Sequence, residues 1–235
     1  MQSQGQYTRR KSFGMMAMLP HALLQSADAD FIKYRNGNRE LTVSMNNGRY
    51  KAEIVTAREV TGKPATSVRE IGERTGAYAC FNGGFFEPDY SPSGLFVRKG
   101  KLITPFVRGK GDGVLYIGKD GGINIGFREE FGRSSDIVDA VQLVLLRRNG
   151  RPYYKYDEKY PLFRGNMIGL TAGRGFAGMV FDRTNYTLGD LHMASDHGCT
   201  DVAMLDSGKS ASLFSDKKEI GGNPDVANFL LIYKL

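Results

Sequence analysis

Glycine interrupts this chain at short intervals, and that spacing constrains the fold more than any other feature of the sequence. Thirty of the 235 residues are glycine, and they separate short runs rich in β-branched and aromatic residues. Such runs are typical of strands, and the glycines between them mark turns. Because 41% of the residues are hydrophobic, an ordinary core can form. We therefore predict an α+β fold, a single domain of mostly antiparallel β-sheet with two or three helices.

Strand patterns recur from residue 31 onward. The predicted strands are Phe31–Arg35, Glu40–Met45, Tyr50–Ala57, a run that ends at Asn82, Leu95–Arg98, Gly113–Gly118, Gly122–Phe127, Val138–Leu146, Met167–Thr171, Ala177–Asp182, Asp201–Asp206, Ser212–Ser215 and Asn228–Lys234. The longest apolar run, Val138–Leu146, predicts a central buried strand. Asn46-Asn47-Gly48 predicts a hairpin turn between the second and third strands. The segment Arg147–Arg164 predicts a long exposed loop.

Two helices are predicted from their end signals. Ser67 and Glu70 fit a capping box, and Gly76 is expected to end the helix that follows. A second helix is predicted to start at a Thr187-led cap and to end at Gly198.

The charge favours an anionic small substrate or surface over nucleic acid. The net charge is +7, but no basic run is longer than three residues. A nucleic-acid groove needs clustered lysine and arginine, so we predict no nucleic-acid partner.

The first 29 residues have the pattern of an export signal. Arg9-Arg10-Lys11 form a basic region, Phe13–Leu24 an apolar region, and Ala27-Asp28-Ala29 an A-x-A cleavage site. The apolar region is too short to span a bilayer, and the arginine pair suggests the twin-arginine route, with the Sec route as the alternative. We predict a signal over residues 1–29 and a mature domain over 30–235. The mature chain would be periplasmic or extracellular, without stable membrane insertion.

Two apolar strands stop at a polar residue that glycine soon follows. Cys80-Phe81-Asn82 leads into Gly83-Gly84, and Met204-Leu205-Asp206 leads into Ser207-Gly208. Loops at strand ends often carry functional residues, and a carboxylate that leaves an apolar strand is a site candidate. If the two strands are neighbours, Asn82 and Asp206 lie together at one end of a sheet.

The two cysteines, Cys80 and Cys199, have two interpretations. In an exported protein they can form a disulfide, and otherwise they are two separately buried thiols. His192 and His197 are five residues apart on a predicted helix, so they do not share a face as metal ligands would. The sequence leaves a divalent metal open. A P-loop is rejected because Ala203 stands where its first glycine would be.

Several of these motifs resemble the phosphodiester glycosidase family over roughly residues 75–215. They occur in the family's order: Asn82-Gly83-Gly84-Phe85-Phe86, Ser93-Gly94-Leu95, Lys99-Gly100-Lys101, Gln142, Ile168-Gly169, Gly198-Cys199 and Leu205-Asp206-x-Gly-x-Ser. The chain departs from the family at Ser207, where glycine is usual, at Val144, where proline is usual, and at Arg164, which is shifted by one position.

The resemblance implies hydrolysis of a sugar-1-phosphodiester or a related cell-surface glycan linkage. Such chemistry needs a carboxylate for the sugar and donors for the phosphate. The implied catalytic residues are Asp206 and, second, Glu87. The implied substrate-binding residues are Asn82, Gly83, Gly84, Ser93, Gly94, Gln142, Arg164, Gly208, Lys209 and Ser210. Phe85 and Phe86 are expected to pack beneath the loop.

Two other functions remain open from the sequence. The altered Ser207 allows a non-catalytic glycan-binding envelope protein on the same fold. A metal-dependent phosphodiesterase would combine Asp206 with Asp201 or Glu87. The sugar and the oligomeric state are not determined by the sequence.

Overall fold

The computed structural model describes residues 30–36, 39–109, 111–131, 136–153 and 161–235, and within these ranges the chain forms two β-sheets and three helices. The strands are β1 (Phe31–Arg35), β2 (Glu40–Met45), β3 (Tyr50–Thr56), β4 (Ala79–Asn82), β5 (Phe96–Arg98), β6 (Lys101–Thr104), β7 (Gly113–Gly118), β8 (Ile123–Phe127), β9 (Ile137–Arg148), β10 (Arg151–Pro152), β11 (Phe163–Thr171), β12 (Phe176–Thr184), β13 (Cys199–Met204), β14 (Leu213–Ser215), β15 (Lys218–Ile220) and β16 (Asn228–Lys234). The helices are α1 (Ala57–Thr61), α2 (Val68–Thr75) and α3 (Tyr186–His197). The predicted α+β class, mostly antiparallel, is confirmed.

The larger sheet contains eleven of the described strands and the smaller sheet five. The main path of the larger sheet is β1-β2-β12-β11-β13-β9-β5-β6, with the β7–β8 hairpin and β10 also paired to β9. The smaller sheet has the order β15-β14-β4-β16-β3. The pairs of named strands are antiparallel throughout the described residues.

The two sheets pack face to face, and the main core lies between them. Side chains alternate along each strand, so Phe81 of β4 enters this core while its neighbour Cys80 faces the opposite side. In the same way Ala203 of β13 points inward and Met204 outward. Phe81 meets Phe176 of the other sheet edge to face, with 5.9 Å between ring centroids.

The helices cover the outer faces of the sandwich. Val68 and Ile71 of α2 pack on the outer face of the smaller sheet, whereas Met193 of α3 packs on the outer face of the larger sheet. Helix α2 begins at the predicted cap, where the Ser67 side chain accepts from the Glu70 N–H at 3.2 Å. It ends at Gly76, whose φ of 68° is left-handed. The result is a four-layer arrangement of helices, sheet, sheet and helix.

A buried arginine ties the larger sheet to the smaller one. The Arg98 guanidinium of β5 bonds to Asp139 of β9 at 3.0 Å, to Glu53 of β3 at 2.8 Å and to Glu59 of α1 at 3.0 Å. Asp139 also accepts from the Ile54 N–H at 3.0 Å. Since β5 and β9 belong to one sheet and β3 to the other, these ion pairs fix the edge at which the sheets meet.

The predicted hairpin at Asn46-Asn47-Gly48 is wrong. Strand β2 pairs with β1 and β12, whereas β3 pairs with β16, so the turn carries the chain from one sheet to the other. The turn itself forms, with the Arg49 N–H donating to the Asn46 carbonyl at 3.2 Å. Both flanking strands place apolar residues in the core between the sheets, which favours the crossing over pairing.

The helix starts differ from the prediction in two places. Helix α3 is capped by Asn185 rather than by Thr187, because the Asn185 side chain accepts from the Leu188 N–H at 2.9 Å. Helix α1 was not predicted. Its capping box is formed by Thr56 and Glu59, residues assigned in part to the preceding strand.

Some predictions fall partly or wholly outside the described residues. The export signal at 1–29 lies outside them, as do residues 154–160 of the predicted loop Arg147–Arg164. The described ends of that segment include strand residues as well as loop, because β9 continues to Arg148, β10 follows it, and β11 begins at Phe163. None of the helices in the described ranges is long and apolar enough to cross a membrane.

Candidate functional site

The two strand ends singled out in the sequence meet in the structure. The Asn82 side-chain amide at the end of β4 donates to the Asp206 carbonyl at 2.7 Å. The Asp206 N–H in turn donates to the Gly83 carbonyl at 3.1 Å. The strands belong to different sheets, so the residues converge where the two sheets face each other and not along one sheet edge. Asp206 is partly exposed at this junction.

Asn82 is fully buried, and its hydrogen-bonding groups are used by the protein itself. Its side-chain oxygen accepts from Asn166 Nδ2 at 2.7 Å and from the Ser212 N–H at 2.8 Å. Its main-chain carbonyl accepts from the same Asn166 amide at 3.0 Å. Asn82 therefore positions the Asp206 main chain and is not exposed to a substrate.

Two further asparagines complete this junction, and the sequence reasoning missed both. Asn166 of β11 contacts Asn82 as described, and its carbonyl accepts from the Leu205 N–H at 3.0 Å. Asn228 of β16 accepts from the Gly83 N–H at 2.8 Å through its carbonyl and donates from Nδ2 to the Gly84 carbonyl at 3.2 Å. Asparagine is disfavoured inside apolar strands, and that was the available signal. We call Asn82, Asn166 and Asn228 the asparagine junction.

The two glycines after β4 have different roles. A Cβ on Gly83 would lie 2.2 Å from Asn228 Oδ1, so only glycine permits this close approach. The Gly83 N–H is bonded to Asn228, as given above. No acceptor among the described residues bonds the Gly84 N–H, which leaves it as a main-chain donor for a ligand.

The loop after the glycines folds back on itself and carries Glu87. Main-chain bonds join Ser93 N–H to the Phe85 carbonyl at 2.9 Å and Glu87 N–H to the Ser91 carbonyl at 2.9 Å. The Ser93 hydroxyl donates to the Glu87 carboxylate, which lies on the surface. Phe86 stacks on Tyr90, with 6.2 Å between ring centroids. The Ser93 hydroxyl therefore orients the Glu87 carboxylate.

Gln142, for which the family resemblance implied a substrate-binding role, makes four hydrogen bonds within the protein. Its side-chain oxygen accepts from the N–H groups of Leu95 and Val107, both at 3.0 Å. Its amide donates to the carbonyls of Val107 at 2.6 Å and Gly111 at 2.8 Å. Only 2% of its surface is exposed, so its side chain is held among these main-chain groups.

Gly94 is likewise structural. Its φ is 131°, and a Cβ there would lie 2.6 Å from Gln142 Oε1. The residue must be glycine so that the chain can pass over the Gln142 amide.

The loop after Asp206 is attached to β11. The Gly208 N–H donates to the Arg164 carbonyl at 2.7 Å, and the Ser207 hydroxyl accepts from the Asn166 N–H at 3.2 Å. Lys209 is exposed in this loop, and the Ser210 carbonyl accepts from the Ser212 hydroxyl at 2.9 Å. Arg164 and Lys209 therefore lie on chain segments next to Asp206.

A family model confirms the family resemblance of the motifs. The model for phosphodiester glycosidase matches residues 75–233, about two thirds of the chain. The chain belongs to the phosphodiester glycosidase family. This is a family of hydrolases that act on glycan phosphodiesters. Comparison with curated proteins gives no significant sequence match.

Solved structures show the same fold at low identity. The catalytic domain of zebrafish N-acetylglucosamine-1-phosphodiester α-N-acetylglucosaminidase, auto-inhibited by its pro-peptide, matches with a TM-score of 0.65 and 14% identity, over 88% of this chain and 83% of that one. A hypothetical protein from Synechocystis matches with a TM-score of 0.56 and 10% identity, over 88% and 61%. A Burkholderia pseudomallei protein named as exported matches with a TM-score of 0.55 and 11% identity, over 83% and 74%.

In this phosphodiester glycosidase the Arg164 side chain is held by an acid. Its Nε donates to Asp182 Oδ1 at 2.7 Å, and Arg39 donates to the other oxygen at 2.7 Å. Burial by itself would raise the pKa of Asp182, but the two guanidinium donors outweigh it and lower that pKa. Asp182 therefore stays ionised and holds Arg164 next to the loop at Gly208.

Of the two interpretations of the cysteines, the structure agrees with two separately buried thiols and not with a disulfide. Cys80 and Cys199 are both free and buried. Cys80 packs beneath α2, whereas Cys199 packs beside α3 on the far side of the sandwich. Burial raises the pKa of the Cys80 thiol and raises that of Cys199 to about 12. Both thiols are therefore protonated at neutral pH and are poor nucleophiles.

The structure separates the residues of the metal hypothesis. Asp201 lies near the start of β13, where it binds the Arg148 guanidinium at 3.0 Å and the Asn149 N–H at 2.8 Å. Asp206 follows the opposite end of that strand. Across the described residues, no group of three or more histidine, cysteine, aspartate or glutamate side chains is arranged to hold a metal ion. The pairing of Asp206 with Asp201 is therefore wrong.

Proposed function

We propose that this chain is an exported hydrolase that cleaves a sugar-1-phosphodiester or a related cell-surface glycan linkage. One observation carries the proposal: the bonds of 2.7 and 3.1 Å that join Asn82 and Gly83 to the Asp206 main chain. They hold the main chain of Asp206 beside a glycine loop, which supports a catalytic role for its carboxylate. Rigid support of this kind is what a catalytic group requires.

In the proposed reaction, Asp206 stabilises the positive charge that develops on the sugar or activates the attacking water. Glu87 is the second carboxylate, oriented by the Ser93 hydroxyl. A phosphodiester leaves as a stabilised anion, so it needs less help from a general acid than an ordinary glycoside does.

Three donors near the junction suit the phosphate. They are the Gly84 N–H, the Lys209 ammonium group and the Arg164 guanidinium. Charge-assisted bonds from lysine and arginine, together with a main-chain N–H, are a common way to hold phosphate.

Family membership supports the reaction class, and experiment has to identify which sugar the substrate contains. The zebrafish relative is named for N-acetylglucosamine-1-phosphodiester, but at 14% identity its substrate is not carried over to this chain. Export rests on the pattern of residues 1–29 and agrees with the naming of the Burkholderia protein as exported.

The test is a turnover assay with a matched pair of variants. Purified protein is incubated with a panel of sugar-1-phosphodiesters that differ in the sugar. Asp206→Asn should lower kcat by about 100-fold or more, because a catalytic carboxylate contributes on that scale. Asp216→Asn, at an exposed turn, should leave kcat unchanged. Circular dichroism checks that each variant is folded. Unchanged turnover in Asp206→Asn would contradict the proposal.

A second candidate function is non-catalytic glycan binding. It is favoured by Ser207, which stands where the family usually has glycine and whose hydroxyl accepts the Asn166 N–H at 3.2 Å. Glycan binding that persists in the Asp206→Asn, Glu87→Gln double variant, with no turnover by the wild type, would support this function over hydrolysis.

A further inference from the structure

A polar cavity of about 460 Å³ lies away from the asparagine junction. The β7–β8 hairpin borders it on one side, and the ends of β9 and β11 and the start of β13 border it on the other. Its polar lining includes Asn124, Arg148, Thr171, Arg174, Thr200 and Asp201. Asp201, near the start of β13, borders the cavity, whereas Asp206 follows the other end of that strand, so the cavity and the proposed hydrolytic carboxylate lie toward opposite ends of β13.

One wall of the cavity is a fixed ion network. Arg148 binds Asp201 at 3.0 Å and Glu130 at 2.9 Å, and Asp201 also accepts from the Asn149 N–H at 2.8 Å. The charge of Arg148 is thus balanced within the protein. This wall presents a rigid set of acceptors and donors without a net positive charge.

The cavity also contains a cation that is held by an amide. Arg174 Nη1 donates to Asn124 Oδ1 at 2.6 Å, and no carboxylate among the described residues forms an ion pair with it. The main chain fixes its position, since the Arg174 N–H donates to the Thr171 carbonyl at 2.9 Å and the residue has a left-handed φ of 62°. The cavity therefore contains one uncompensated guanidinium in a set orientation.

The lining selects one class of ligand. A lipid would require a mostly apolar lining, whereas Ile125, Leu170 and Ala172 are the aliphatic residues of a lining that is otherwise mainly polar. A nucleobase would require an aromatic face for stacking. The one aromatic residue of the lining, Tyr116, is in edge-to-face contact with Phe131 at 5.9 Å. Amides, hydroxyls and a carboxylate instead suit the hydroxyl groups of a sugar, which both donate and accept hydrogen bonds.

We propose that this cavity binds an acidic saccharide unit, with the carboxylate or phosphate of the sugar on Arg174 and its hydroxyls on Asn124, Asn149 and Thr200. The site is separate from Asp206, and the proposal does not depend on hydrolysis. A guanidinium recognises either anion through charge-assisted hydrogen bonds.

The test measures binding to the full chain. Glucuronic acid, glucose 6-phosphate, glucose and inorganic phosphate are titrated by calorimetry against the wild type, Arg174→Gln and Arg58→Gln. Arg58 is an exposed arginine on α1, outside the cavity, and its variant is the matched control. The ¹H–¹⁵N signals of the Asn124 and Asn149 side-chain amides report whether the ligand occupies this cavity.

At least one of the two acidic sugars should bind the wild type more tightly than glucose and than phosphate alone, and should shift both amide signals. Arg174→Gln should weaken that binding about tenfold or more, since a hydrogen bond to a charged group contributes on this scale. Arg58→Gln should bind as the wild type does. Absence of binding by both acidic sugars, or equal affinity in Arg174→Gln, would overturn the proposal. Loss of turnover in Asp206→Asn has no bearing on this result.

Discussion

The side-chain amide of Asn82 donates a hydrogen bond of 2.7 Å to the main-chain carbonyl of Asp206, across the boundary between two β-sheets. The residues are 124 positions apart in the chain. The bond therefore couples the packing of the whole sandwich to the position of one partly exposed carboxylate. A disturbance at the junction is expected to affect both stability and the proposed reaction.

Replacement of Asn82 by alanine should lower the free energy of unfolding by about 3 kcal/mol. The change leaves the Ser212 N–H without its acceptor and the Asp206 carbonyl without the Asn82 donor, while the Asn166 amide keeps only its bond to the main-chain carbonyl of residue 82. Buried groups that lose a partner cost about 1–3 kcal/mol each. Urea denaturation measures the effect. Asn47→Ala, in an exposed turn, is the control and should change stability by less than about 0.5 kcal/mol. Equal stability of the two variants would contradict the role given to Asn82.

Replacement of Gly83 by alanine should destabilise the protein by about 1–3 kcal/mol. The added Cβ would lie 2.2 Å from Asn228 Oδ1, and both backbone and side chain would have to move. Thermal unfolding gives the measurement. Gly173→Ala is the matched control, because its Cβ would meet no atom closer than 3.9 Å. If Gly83→Ala melts at the same temperature as Gly173→Ala, the close contact is not maintained in solution.

Replacement of Gln142 by leucine should cost about 3 kcal/mol or more of unfolding free energy. Leucine has a similar size, but it leaves the N–H groups of Leu95 and Val107 and two carbonyls unpaired inside the protein. Chemical denaturation checks this. If the variant is as stable as the wild type yet binds substrate poorly, that result would support the substrate-binding role that the family resemblance implied.

Replacement of Asp139 by asparagine should cost about 3–5 kcal/mol. Loss of one partner from a buried ion pair leaves the Arg98 charge only partly compensated. The exposed pair of Lys119 and Asp136 provides a control, and Lys119→Gln should have an effect below about 1 kcal/mol. The measurement compares the free energies of unfolding of the two variants in the same buffer. Similar values for both variants would show that the Arg98 network does not hold the sheets together.

Stability should fall as the pH decreases from 7.5 to 5.5 because of His197. Burial lowers the pKa of His197 below the ordinary value of 6.5, and the nearby His192 acts in the same direction, whereas Asp196 and Glu40 oppose it. Below pH 6.5 the unfolded chain binds this proton before the folded chain does, so the stability contributed by the neutral imidazole is lost. No donor or acceptor among the described residues bonds its buried Nε2, so a charged imidazolium would have no partner at that nitrogen.

His197→Gln isolates this contribution. Urea midpoints of the wild type and the variant are compared at pH 7.5 and 5.5. The variant should lose less stability over this range, since the lowered carboxyl pKa values of Glu40 and Asp182 take effect only below about 4.5. Equal losses in both proteins would remove His197 as the cause.

The fold class and most strands could be predicted because they depend on local pattern. Alternation along β4 and β13 and the glycines after them are visible within a few residues. The crossing at Asn46-Asn47-Gly48 could not be predicted, because the same turn serves a hairpin or a change of sheet. Which of them forms depends on β12 and β16, more than 120 residues away.

The sequence predicted where the candidate site lies, but not the hydrogen bonds that hold it together. The meeting of Asn82 with Asp206 followed from two similar strand ends. Asn166 and Asn228 could not be recognised as site residues from the sequence, because a single polar residue in an apolar strand has no local partner that reveals its role. The structural roles of Asn82 and Gln142 likewise depend on contacts that no spacing in the sequence encodes.

The position of β16 has a consequence for how the protein is made. This strand lies between β3 and β4 and bonds to both, although it is synthesised about 170 residues after β3 and about 150 residues after β4. Until residues 228–234 have been translated, β3 and β4 lack the strand that joins them, and the smaller sheet remains in two parts. Pairing over such long sequence separations is slow, and unpaired strand edges aggregate readily. The smaller sheet can therefore close only after the ribosome has completed β16, and until then β3 and β4 each expose an unpaired edge.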